Sequence, residues 1–235
     1  MEDNGDRPFW DWHDALLFIG LIVPSALLAL AVSRVVFLVA GKPNQASYLL
    51  TVTFTGYALW LTALYALLHF RYGRPFWVSL GWTFPWPRMG LTLVLGPALA
   101  IFVALGAVAL HTPSGSSALQ SLMSDRLSIV LVGLFSTTLG PLCEELVFRG
   151  FFQPLLIGKF GTHLGVLFCA APFALLHGPQ YNWTWQIVLL LVLAGVVFGY
   201  TRLRAGSTAA STLVHATYNL TYFTGYLLQN KDLYF

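Results

Sequence analysis

The chain is 235 residues long, 57% hydrophobic and only 9% charged, with a mean hydropathy of +0.72. A soluble domain carries about 25% charged residues, so these values exclude a soluble globular protein and predict an integral membrane protein. The net charge of +3 arises from twelve Lys and Arg scattered through connecting segments, with no basic run of the kind that engages nucleic acid.

The amino end places Glu2, Asp3, Asp6, Asp11 and Asp14 before the first apolar run. It lacks the basic leading region of a cleaved signal peptide, so the first span is expected to be retained. Apolar runs of bilayer length then fall near 13–33, 48–70, 89–111, 127–157, 162–178, 184–203 and 207–228, each close to the ~20 residues a spanning helix needs. Between the second and third, Pro75 to Arg88 carries Trp77, Trp82 and Trp86 among prolines. It is too broken to cross and is expected at the membrane interface.

Turns are expected at Gly41-Lys42-Pro43-Asn44, at the Ser/Gly-rich Thr112 to Ser117, and at Arg202 to Gly206. The fourth run is long for one straight span, and Gly140-Pro141 in its middle predicts a kink or a break into half-helices. The expected fold is all-α: one polytopic bundle over residues 1–235, with about seven to eight helices and a broken helix carrying a Glu-Glu pair. Assigning Lys and Arg to alternating sides puts Arg7, Arg71, Arg74, Arg88, Lys159, Arg202 and Arg204 with the amino terminus, against Arg34, Lys42, Arg126 and Lys231. That imbalance favours a cytoplasmic amino terminus, and the cell membrane is the expected location. Oligomeric state has no signature in the sequence.

Chemistry concentrates in the fourth run. Glu144 and Glu145 are adjacent inside the apolar stretch Leu127 to Gly158, and Glu2 is the one other glutamate in the chain. A carboxylate at bilayer depth costs roughly 2.5 to 3.5 kcal/mol on the insertion scale, so such groups face a protein interior or a wet cavity and mark functional sites. Glu145 and Arg149, four apart on a helix, are placed to form an ion pair. Glu144 lies about 100° away around that helix with no partner on its own face, as suits a general base.

His177, at the end of the fifth run, and His215, in the seventh, add imidazoles from two other helices. His215 and Asn219 share a helix face. The set supplies a base, an imidazole to orient water and a donor pair for an oxyanion, which suits attack of water on an amide carbonyl. Phe173, one turn before His177, would wall the site. Near the predicted span ends, His13, His69, His111 and His163 are read as interfacial.

Taken in order, Glu144-Glu145-x-x-x-Arg149, Phe173-x-x-x-His177 and His215-x-x-x-Asn219 resemble the three motifs of the CPBP family. That family comprises CAAX-type prenyl-protein endopeptidases and bacterial relatives linked to bacteriocin processing and self-immunity. The resemblance covers about Pro141 to Asn219. It implies a glutamate intramembrane endopeptidase with a core at about 127–228, acting on a membrane-anchored protein or peptide. In that reading Glu144 activates water with His177, Glu145 and Arg149 hold the site together, and His215 with Asn219 binds the oxyanion. No cofactor is expected.

Rival readings are a zinc shell of Glu144, His177 and His215, without any H-E-x-x-H spacing, and Cys143 as nucleophile, although buried thiols are mostly inert packing. A buried ion network that merely fixes helix packing is a third. A proton-coupled transporter would call for inverted repeats with paired broken helices. A non-proteolytic scaffold or immunity protein, binding a hydrophobic peptide in the same cavity, is the alternative from another class.

Overall fold

The computed structural model describes residues 8–41, 43–85, 89–113 and 122–230. Glu2, Asp3, Asp6, Arg7, Lys42, Trp86, Arg88, Ser114 to Ser117 and Lys231, used above for charge, turns and the interfacial stretch, lie outside them. The described residues hold no strand and fold into eight helices. They are α1 (Trp12–Ala40), α2 (Gln45–Arg71), α3 (Phe76–Ser79), α4 (Met89–Ala109), α5 (Arg126–Phe160), α6 (Thr162–Leu176), α7 (Trp185–Ala205) and α8 (Thr208–Gln229).

Five of these, α1, α2, α4, α5 and α7, are long and apolar enough to cross a bilayer. The two other long runs differ from that pattern for separate reasons. With 15 residues, α6 rises ~22 Å, short of the ~30 Å hydrocarbon core. Although α8 has 22 residues, its Thr208, Ser211, Thr212, His215, Thr217 and Asn219 lower its hydropathy, and the first four of that polar set, up to His215, are buried among neighbouring helices.

Side-chain caps set the helix starts. Asp11 and Asp14 form a reciprocal capping box at α1, and Asn44, Asp125 and Ser207 cap α2, α5 and α8. Asn44 also donates to Asp125 at 3.1 Å and to Ser128 at 2.9 Å, which ties the starts of α2 and α5 together. At the opposite end, Arg71 meets Asp14, Arg74 lies over Phe9, and Lys159 lies over Trp12.

The expected break at Gly140-Pro141 takes another form. Helix α5 runs unbroken, but its α pattern widens into π turns at Phe135–Leu139 and Leu146–Phe152. Each widening ends two residues before a proline, Pro141 or Pro154. A proline ring clashes with the carbonyl four residues back and offers no N–H; the extra residue per turn relieves that clash. The amides preceding these prolines, Gly140 and Gln153, accordingly donate five residues back, to Phe135 and Phe148. Glu144 and Glu145 sit on the short α segment between, Gly140–Glu145.

Other elements seat α5 and α8. Trp10 stacks on Phe151 at 5.5 Å and donates to its carbonyl at 3.2 Å. The stretch read as interfacial also serves the interior: Leu80 is fully buried, and the Leu80 and Gly81 carbonyls accept from the Thr208 hydroxyl and amide at the start of α8. Helices α4 and α8 cross closely at Gly96, where a Cβ would stand 2.5 Å from the Val214 carbonyl and 2.7 Å from the Tyr218 nitrogen.

Candidate active site

Glu144, His177 and His215 converge from α5, the end of α6, and α8. Glu144 Oε2 lies 3.9 Å from His177 Nε2 and 3.8 Å from His215 Nε2. Each imidazole is anchored through its other nitrogen: His177 Nδ1 contacts the Phe173 carbonyl at 2.8 Å, and His215 Nδ1 contacts Glu145 Oε1 at 3.0 Å. Both partners are acceptors, so Nδ1 carries the proton in each ring and Nε2 is the atom turned toward Glu144. A neutral ring offers a lone pair there, and a protonated one offers a donor.

Glu145 and Arg149 make the pair expected from their spacing, at 3.0 Å, with both side chains fully buried. The guanidinium also donates to the Gly195 carbonyl at 3.0 Å and lies 4.4 Å from the Phe173 ring centre. Gly195 permits that approach, since a Cβ there would stand 3.2 Å from Arg149 Nη2. Phe173 thus backs both Arg149 and His177, whose ring lies 4.8 Å away. Phe198 stacks on His215 at 4.6 Å. Fixed dipoles and rings therefore replace water around the buried cation, as its burial requires.

Asn219 lies one turn beyond His215, and its amide nitrogen donates to the Ser136 carbonyl at 2.7 Å. In the π register that carbonyl would look to the amide of Pro141, which has no hydrogen. Asn219 supplies the missing donor. One of its two amide hydrogens is thereby used.

One expectation needs correction, and one rival reading loses ground. Glu144 is not without a partner on its own face, because the Tyr57 hydroxyl of α2 donates to its Oε1 at 2.6 Å. The zinc reading fits poorly: the ligand atoms of Glu144, His177 and His215 do not all lie within 4.8 Å of one another, as they would around one ion. Among the described residues, the set that does converge so closely is Asp11, His13 and Asp14. There the carboxylates already cap α1 and bind Tyr72 and Arg71. Cys143, the rival nucleophile, is buried at 7% exposure.

A family model described as type II CAAX prenyl endopeptidase, Rce1-like, matches residues 126–221. The chain carries an Rce1-like region. This agrees with the CPBP resemblance, and the Rce1-like family is one of proteases. No curated protein and no solved structure matches the chain.

The Rce1-like region spans every site residue named from the sequence, from Glu144 to Asn219. Tyr57 lies outside it. Nothing in the sequence singled this tyrosine out, since one aromatic among many in an apolar span has no periodic signal. Phe198 and Gly195 lie inside the region and were equally hidden, because their parts depend on which faces α7 turns to α5 and α8.

Proposed function

We propose that the protein is an intramembrane glutamate endopeptidase that hydrolyses a peptide bond in a membrane-anchored or hydrophobic substrate. The observation that carries this reading is the convergence of both Nε2 atoms on Glu144 Oε2, with each Nδ1 anchored behind. A water hydrogen-bonded to Oε2 lies within reach of both imidazoles. Glu144 takes one of its protons as the oxygen attacks the scissile carbonyl, and His177 orients the attack. The oxyanion is met by His215 Nε2–H and by the second N–H of Asn219. Glu144 then passes its proton to the leaving amine as the C–N bond breaks, leaving a new carboxyl and a new amino terminus.

The oxyanion role calls for a proton on His215 Nε2 as well as on Nδ1. Glu144, Glu145, Arg149 and an imidazolium sum to zero, and a neutral set costs least to bury. Glu145, Arg149 and Phe173 act behind the reacting atoms and hold His215 and His177 in place. No step passes through a metal or a cofactor.

The whole chain, residues 1–235, forms one integral membrane domain in this reading, with its catalytic core at about 127–228. Arg71, Arg74 and Lys159 cluster with Asp14, Phe9 and Trp12 at the amino-terminal end, which supports a cytoplasmic amino terminus and the cell membrane as location. The partners are the lipid bilayer and a peptide delivered by its own anchor.

A farnesylated, internally quenched CAAX-tail peptide in liposomes tests the reading, beside the same peptide without its lipid and with mass spectrometry of products. Wild type should release one fragment, Glu144→Ala should release none, and Cys143→Ala with added chelator should cleave as wild type. Binding of the peptide without cleavage by either wild type or Glu144→Ala would instead favour a non-proteolytic scaffold or immunity protein.

A further inference from the structure

We infer that Tyr57, on α2 and outside the Rce1-like region, is a positioning residue for Glu144; this rests on the protease reading above. Its hydroxyl donates to Glu144 Oε1 at 2.6 Å, while the other oxygen, Oε2, faces His177 and His215. A carboxylate attached to its chain through rotatable bonds presents either oxygen to a neighbour unless one is held. Here one is held. Tyr57 takes Oε1 out of play and leaves Oε2 as the atom that meets water.

The donor itself is fixed. The Tyr57 ring stacks on Phe135 at 5.9 Å with the planes 21° apart, and packs on Trp60 at 5.8 Å. Phe135 opens the first π turn of α5, nine residues before Glu144. The same helix therefore supplies both the carboxylate and the platform that aims the tyrosine at it. The contact also divides labour between the oxygens: the hydrogen bond to Oε1, charge-assisted while Glu144 is ionised, holds that oxygen while Oε2 gains and loses its proton. With its hydroxyl hydrogen committed to Oε1, Tyr57 has none left to direct at Oε2, so it acts through Glu144 and not on the substrate.

The test compares wild type, Tyr57→Phe and Trp60→Phe on the farnesylated quenched peptide in liposomes. Tyr57→Phe keeps the ring and loses the donor; Trp60→Phe disturbs the same packing and leaves the donor. Losing one hydrogen bond to a charged group predicts a fall in kcat of roughly ten- to hundredfold for Tyr57→Phe, with KM unchanged. Trp60→Phe should keep kcat within about threefold. In infrared difference spectra, Tyr57→Phe should shift a carboxylate stretch that is missing from Glu144→Gln.

Active wild type with an equally active Tyr57→Phe would overturn the inference and leave the protease reading standing. Equal loss in Tyr57→Phe and Trp60→Phe would also overturn it, by assigning the effect to packing. Wild type that cleaves nothing would remove the protease reading, and the role of Tyr57 with it.

Discussion

Glu145 accepts from Arg149 and from His215 through the same oxygen, Oε1, at 3.0 Å each. Removing Arg149 alone breaks a buried ion pair and leaves the set of Glu144, Glu145 and His215 with one negative charge in excess, which costs roughly 3–5 kcal/mol. Arg149→Met should therefore lower the thermal midpoint sharply in detergent. Replacing both partners with apolar groups of similar volume is often nearly neutral, so Arg149→Met with Glu145→Leu should recover most of that loss. It should not recover cleavage, because His215 Nδ1 then has no acceptor and its ring is no longer aimed. Thermal melts beside peptide cleavage for both variants check this, and a double variant as active as wild type would reduce the ion pair to packing. The pair itself was legible in the sequence because helix geometry alone joins positions four apart. The Tyr57 contact joins residues 87 positions apart, and no local rule anticipates it.

Elements were more legible than contacts. Each of the seven apolar runs holds a helix, and five of those helices are long and apolar enough to cross a bilayer. The expected break at Gly140-Pro141 was half right: the proline does disturb the helix, but a π turn absorbs the disturbance and the Asn219 amide meets the Ser136 carbonyl from across the bundle. Helix ends offer a prediction that depends on pH. Asp125 caps α5, and its carboxyl is held below the ordinary range chiefly by the Ser128 hydroxyl, then by the Ser128 amide. A carboxylate whose folded pKa is lowered adds stability above its unfolded value, about 4, and that contribution is lost as pH falls through the lowered folded value. Amide hydrogen exchange in the first turn of α5 should accordingly quicken, relative to the rest of the helix, as pH drops below about 4. Asp125→Asn keeps a capping oxygen but has nothing to protonate, so its first turn should show no such change; an identical pH response in that variant would remove Asp125 as the cause.

At the scale of the molecule, the matched region and the working site are different objects. Residues 126–221 hold Glu144, His177, His215 and Asn219, yet three things that position them come from before residue 113. Tyr57 fixes Glu144, Leu80 and Gly81 receive the start of α8, and Gly96 lets α4 lie against Val214 and Tyr218 beside His215. In a bilayer, helices that insert separately can still associate, since packing and interhelical hydrogen bonds drive their assembly. Cutting the chain after Ser117, between the described residues 89–113 and 122–230, should therefore separate two sets of helices without cutting any described helix. Residues 118–235 produced alone should cleave the farnesylated peptide at least about a hundredfold more slowly than the intact chain, having lost both the Glu144 donor and the seat of α8. Co-production with residues 1–117 should restore cleavage, and restoration should fail when the first fragment carries Gly96→Leu, whose side chain would collide with α8 backbone. Full activity of residues 118–235 alone would mean that the amino-terminal helices contribute nothing to the geometry at Glu144.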